Sequence, residues 1–217
     1  MSFDLDRALR ALKPQRSLRR FSAGSAQGLS RMEDVPVAGA PVLLDTTVYI
    51  DILQGRSPEA LDRLVSLRLC NHSAVCVAEL TPAFGRLDPQ DTRTAKALAA
   101  IAATIRDIPS HRLFAPDAEV WGSAGILAGL MFRLGDYPSG AERKCLNDAL
   151  VFLQARKLGC AIVTGNAKDF TILTGLVPDG RAIVYRRTGR PVDSSVSFQE
   201  TMTLDRTARG LPLRCAG

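Results

Sequence analysis

Two short apolar runs, each ending abruptly in polar residues, constrain this chain most. "APVLLDTTVYIDIL" carries Val42, Leu43 and Leu44 into Asp45, and "GCAIVTGNAKDF" carries Ala161 to Thr164 into Gly165, Asn166 and Asp169. Consecutive apolar residues without alternation suit strands buried on both faces, the habit of central parallel strands. "RAIVY", from Arg181 to Tyr185, reads as another strand, and "NHSAVCVAEL" as a short strand-like segment passing into a helix near Glu79.

Helical patterns fill the intervals. Ser57 reads as an N-cap with Pro58 in the first helical position, ahead of the stripe Leu61, Leu64, Val65 and Leu69. Helices are expected over 91–106 and from Asp117 to Leu134. In the segment opened by Asp148, Val151, Ala155 and Leu158 follow helical spacing, and Gly159 stands where a helix C-terminus wants it. Strands alternating with helices predict an α/β domain with a mostly parallel sheet.

At 217 residues the chain has room for one well-buried domain with extensions. The net charge of +6 is unevenly placed. Residues 1–40 hold seven basic against four acidic side chains and residues 181–217 seven against three, whereas 41–180 is close to neutral. Basic ends on a neutral core suit a polyanionic partner or solvated arms. Leu5, Leu9 and Leu12 recur at helical spacing near the start, followed by the linker-like "SAGSAQGLS". Arg186, Arg187 and Arg190 head the C-terminal stretch. The expected organisation is a basic extension over 1–40, a core over 41–185 and an Arg-rich extension over 186–217.

No apolar run approaches the roughly 20 residues that span a bilayer, and Asp4 and Asp6 interrupt the first turns. A cytoplasmic protein without a membrane partner is expected. Five cysteines, odd in number and without C-x-x-C spacing, fit buried free thiols better than a disulfide framework or zinc ribbon. Two histidines, His72 and His111, exclude a His-rich zinc site.

In parallel sheets ligands bind beyond the carboxyl ends of the strands. Asp45 lies past one such end, and Asn166 and Asp169 past another; Glu79 and Asp148 are expected near helix starts. Each acid alone is more often a cap than a ligand, because helix N-termini stabilise negative charge. Together they would gather three carboxylates and a carboxamide. Clustered carboxylates repel unless a cation neutralises them, and hard Mg²⁺ or Mn²⁺ prefers oxygen ligands. Such ions make a bound water more acidic and steady phosphodiester oxygens, so metal-assisted phosphodiester hydrolysis is the chemistry indicated.

"LLDTTVYIDIL", "SAVCVAEL" and "NDALVFLQARKLGCAIVTGNAKDF" resemble the successive signatures of PIN-domain nucleases, in particular the VapC-type toxins of type II toxin–antitoxin systems. The resemblance spans about residues 41–185 and implies a three-layer α/β/α fold. It implies a Mg²⁺- or Mn²⁺-dependent endoribonuclease leaving 5′-phosphate and 3′-hydroxyl ends, with an RNA substrate, a cognate antitoxin and a homodimer. Its catalytic, metal-binding acids fall on Asp45, Glu79 and Asp148, and its fourth metal position, Asp or Asn among relatives, on Asn166. Thr46 and Thr164 match supporting hydroxyl positions, and Asp169 a frequent acid just beyond. The sequence departs from the pattern at Thr47, where Asn is common, and at Cys76, where Ser or Thr would complete a capping box. Two other readings share these residues: a PIN-like module that binds RNA or protein through its basic ends, and a DNA-directed nuclease with the same site.

Overall fold

The computed structural model describes residues 3–15, 28–88 and 90–188. Six strands, β1 (Leu29–Arg31), β2 (Val42–Leu44), β3 (Cys70–Ser73), β4 (Leu113–Phe114), β5 (Ala161–Thr164) and β6 (Ala182–Val184), form one sheet in the order β1-β6-β5-β2-β3-β4. Every pairing is parallel. The apolar runs take the centre: Val42, Leu43, Leu44, Ile162 and Val163 are all 0% exposed, as burial on both faces requires.

The helices are α1 (Leu5–Leu12), α2 (Thr46–Leu53), α3 (Glu59–Leu67), α4 (Ala74–Leu80), α5 (Pro82–Arg86), α6 (Thr92–Arg106), α7 (Ala118–Leu134), α8 (Glu142–Lys157) and α9 (Ala167–Leu176). The β2-to-β3 and β5-to-β6 crossovers run in opposite directions across the sheet. Right-handed connections therefore put α2 and α3 on one face and α9 on the other, giving the α/β/α layers expected. The layer containing α9 also holds α7 and α8, which pack on it and on each other. Phe152 of α8 meets Phe170 of α9 edge-on, with centroids 6.1 Å apart.

Strand order reverses between β2 and β5, because the chain builds outward from β2 through β3 and β4 before returning to its other side. That reversal opens a crevice at the carboxyl ends of the two strands. The register sets Leu44 beside Val163, and the Asp45 amide donates to the Val163 carbonyl at 3.0 Å. Asp45 and Thr164 thus leave the sheet side by side.

Several local expectations are corrected. Helix α3 begins at Glu59 with extended Pro58 as its N-cap, one residue later than the Ser57 reading. Glu79 lies in the last turn of α4, not near its start. The strand hands over to α4 at Ser73, whose hydroxyl accepts the Val75 amide at 3.2 Å, so Ser73 supplies the side-chain cap and none is needed from Cys76. Asp148 sits in the middle of α8, which already starts at Glu142.

The fold also reaches beyond the expected 41–185 core. Leu29–Arg31 pairs with β6, and Gly28 allows the approach because a side chain there would strike the Gly180 carbonyl. Helix α1 buries Ala8 and Leu12 and packs on α7, and a side chain at Gly122 would collide with the Phe3 ring. At the other end, Arg187 bonds to Asp51 and the Thr188 amide donates to the Arg56 carbonyl at 3.0 Å. Residues 16–27, with most of the expected linker, and Arg190 with the remaining C-terminal stretch lie outside the described residues. Among those described, no helix is long and apolar enough to cross a membrane.

Candidate metal centre

Asp45 occupies the N-cap position of α2, with extended φ −75° and ψ 159°, yet its side chain makes no capping bond. It turns instead into the crevice, where it is 3% exposed. Two hydroxyls donate to its Oδ2, Thr47 Oγ1 at 2.6 Å and Thr164 Oγ1 at 2.7 Å. Each hydroxyl accepts a backbone amide as well, Thr47 from Gly165 and Thr164 from Asn166, both at 2.9 Å. With a lone pair so engaged, the single O–H of each is directed at the carboxylate. Thr47 therefore ties the β2 and β5 loops together and orients Asp45, a role its sequence position alone did not disclose.

Glu79 arrives from the end of α4. Thr46 donates its hydroxyl to Oε2, and Asn147 of α8 donates Nδ2 to Oε1 at 2.8 Å. Thr46 and Asn147 are the immediate neighbours of Asp45 and Asp148, so Glu79 is linked to both acids through adjoining residues.

Asp148 approaches from α8. Asn166 Nδ2 lies 3.3 Å and Lys144 Nζ 3.4 Å from its Oδ2. The same two groups hold Asp169, Asn166 at 2.7 Å and Lys144 as an ion pair, and Tyr137 donates to its other oxygen at 2.5 Å. The Asn166 carbonyl oxygen accepts the Asp169 amide as the cap of α9. Asn166 thus acts here as a donor bridging two acids.

Electrostatics divides these carboxylates. Burial raises the pKa of Asp45, and the nearby Glu79 charge adds to it against the pull of the Thr47 and Thr164 hydroxyls. Burial also lifts Asp148 well above the usual carboxylate range, with Asp45 the next cause and Lys144 only partly offsetting them. Asp169 goes the other way: burial is outweighed by hydrogen bonds from Lys144, Tyr137 and Asn166, and its pKa falls. Burial opposes the Lys144 charge too, but Asp148 and Asp169 overcome it and raise its pKa.

The structure brings together all seven residues singled out in the sequence: Asp45, Thr46, Glu79, Asp148, Thr164, Asn166 and Asp169. Sequence reasoning noted Thr47 only as a departure from the family pattern beside Asp45, and missed Tyr137, Lys144 and Asn147. For Lys144 the signal was available, since it lies four residues before Asp148 on one helix. Thiol chemistry finds no support at this edge. Burial, then Asp45, pushes the Cys76 thiol far up, and burial with Asp169 and Asp148 takes Cys145 up to about 11. His72 is buried with Nδ1 2.6 Å from the Tyr49 hydroxyl, and His111 lies on an exposed turn.

Among the described residues no three His, Cys, Asp or Glu side chains form a ready-made metal cage. The donor set nevertheless fits a hard cation, because it is all oxygen and because Asp45 and Asp148 are buried carboxylates that oppose one another's charge. No protein-family model matches the chain, and no curated protein matches it.

Proposed function

We propose that the chain is a divalent-metal-dependent endoribonuclease of the PIN class, working with Mg²⁺ or Mn²⁺ as the toxin of a cytoplasmic toxin–antitoxin pair. One observation carries this reading: Asp45 and Asp148, buried and mutually repelling, meet at the switch point of a parallel sheet. Asp45, Asp148 and Glu79 would hold the ion, and Asn166 would join them by rotating its amide to present its oxygen. A bound ion supplies Lewis acidity toward a phosphodiester oxygen and makes a coordinated water more acidic.

The chain's own residues set the geometry. Thr47 and Thr164 fix the Asp45 carboxylate, and Thr46 with Asn147 fixes Glu79. Lys144 and Asn166 bracket Asp148 and hold Asp169 beside it, so the Asp169 charge, although hydrogen-bonded, still adds to the load on Asp148. The half-exposed Lys144 ammonium also gives the rim a positive charge where a polyanionic strand would approach.

The test is cleavage of a defined single-stranded RNA by the purified full-length chain in Mg²⁺. Products with 5′-phosphate and 3′-hydroxyl ends are expected, lost with chelator and with Asp148→Asn. Equal degradation by wild type and Asp148→Asn overturns the reading, and a matched DNA strand separates an RNA from a DNA preference. The antitoxin and the homodimer belong to the same proposal; co-expression with a small reading frame directly upstream should relieve growth arrest.

Lys144 also favours a second reading. Its ammonium pairs with Asp169 and partly offsets Asp148, which suits a PIN-like module binding RNA or protein. Calorimetry with Mn²⁺ decides: no binding at millimolar metal, with RNA binding intact, selects the module.

A further inference from the structure

Beside the acid cluster lies a groove of about 440 Å³, walled by α4, the start of α5, the segment before α7 with the first turn of α7, and α8. Glu79 and Asn147 line it, and so do Pro82, Pro116, Trp121 and Arg143. It therefore joins the candidate metal centre to an apolar, aromatic surface. Its volume falls in the range of sites that take a small ligand or one nucleotide.

Trp121 is the only tryptophan of the chain, and it is 49% exposed although its helix neighbours Val120 and Ala124 are buried. An indole left half in water forgoes much of the burial that usually fixes this residue. Pro116 and Pro82 add further apolar surface to the same walls. Arg143 is exposed, and no carboxylate of the described residues forms an ion pair with it. A flat aromatic face, an uncompensated guanidinium and a neighbouring phosphodiester-type site form the set with which proteins hold single strands. Bases stack on the ring while the cation meets the backbone.

We infer that this groove is a base-stacking subsite, in which one unpaired nucleobase of a single-stranded nucleic acid lies against Trp121 and its phosphate faces Arg143. The stacked nucleotide positions the strand so that an adjoining phosphodiester falls at Asp45, Glu79 and Asp148. The subsite rests on the nucleic-acid reading above but not on cleavage itself. It selects single strands, because a base held in a duplex cannot present its face to the indole.

With one tryptophan, intrinsic fluorescence reports the groove alone. The full-length chain is titrated with a short single-stranded RNA, the matched single-stranded DNA and their duplex, first in chelator and then in Mg²⁺. Quenching by single strands and not by duplex is expected, and the two single-strand arms show whether the sugar matters. Trp121→Ala should raise KM roughly five- to a hundredfold with kcat within about twofold, and Trp121→Phe should restore part of the loss. Because Trp121 is half exposed, both variants should retain the wild-type circular dichroism and a cooperative melt, with a lower melting temperature for Trp121→Ala than for Trp121→Phe. Single-stranded RNA cleaved without any change in fluorescence or KM overturns the subsite while leaving the nuclease reading intact. Quenching without cleavage keeps the subsite and removes the nuclease. Failure of both single strands to quench, in chelator and in Mg²⁺, assigns the groove to another ligand and overturns the proposal.

Discussion

Helix α2 carries two buried carboxylates six residues apart, and their surroundings differ completely. Asp51, 0% exposed, is bound by Arg56 at 2.9 Å, by Arg187 at 2.8 and 2.9 Å and by the Tyr185 hydroxyl at 2.8 Å. Asp45 is held by the Thr47 and Thr164 hydroxyls and the Thr46 backbone, with no cation among its partners, and the Glu79 charge works against it. Gly165 separates the two centres, since a side chain there would press on Asp51 and Tyr185 while its amide serves Thr47 on the other side. Asp51 has its counter-charges in place and ties α2 to the segment after β6, whereas Asp45 has no ion pair among the described residues.

The comparison breaks most visibly at Asp51. Asp51→Ala leaves two guanidiniums facing an apolar gap and should cost about 3–5 kcal/mol. For a domain of this size, that lowers the melting temperature by roughly 6–20 °C in a calorimetric scan. Asp148→Asn should do the reverse, reducing RNA cleavage by roughly a hundredfold or more. It should leave the melting temperature unchanged or slightly higher in chelator, because burial and Asp45 both oppose the charge it removes. Mg²⁺ should then raise the melting temperature of wild type and not of the variant.

A smaller effect comes from the hydroxyls. Thr164→Val frees Asp45 from one of its two oriented donors and should weaken Mn²⁺ affinity or cleavage about 10–100-fold, measured by calorimetry and initial rates. The smallest belongs to an exposed acid, Asp117, whose carboxylate caps α7 at the Val120 amide and pairs with Lys157. Asp117→Ala should cost about 1 kcal/mol at pH 7. The Lys157 hydrogen bond, then the Val120 amide, hold the Asp117 pKa below its ordinary value. Its contribution is therefore complete above the unfolded value of about 3.9 and is lost as pH falls through the lowered one. Wild type and variant melting temperatures should converge in acid.

How far the sequence disclosed this arrangement depended on how local each signal was. Asp45 and Asn166 were legible because strands buried on both faces leave an unmistakable apolar run, and the polar residues just past such a run must lie at the sheet edge. Strand β1 was not, because "LSR" has no such run and owes its conformation to pairing with β6, 153 residues later at Leu29 and Ala182. Glu79 was identified but placed at the wrong end of its helix, since the capping Ser73 is itself the last residue of a buried strand. The Tyr137–Asp169 bond joins the turn after α7 to α9 and has no spacing rule that would reveal it. Arg187 was read as part of a basic tail, whereas its guanidinium is consumed by Asp51.

The strand order also has a consequence in time. β2 is made early, but its neighbour β5 is contributed by residues 161–164, and Thr164, Asn166 and Asp169 come later than every other part of the acid edge. Parallel pairing across more than a hundred residues is slow to form and cannot begin before both partners exist. A growing chain on the ribosome therefore carries Asp45, Glu79 and Asp148 as separate, inert acids. The shared acid edge closes only once β5 has been made and has paired with β2.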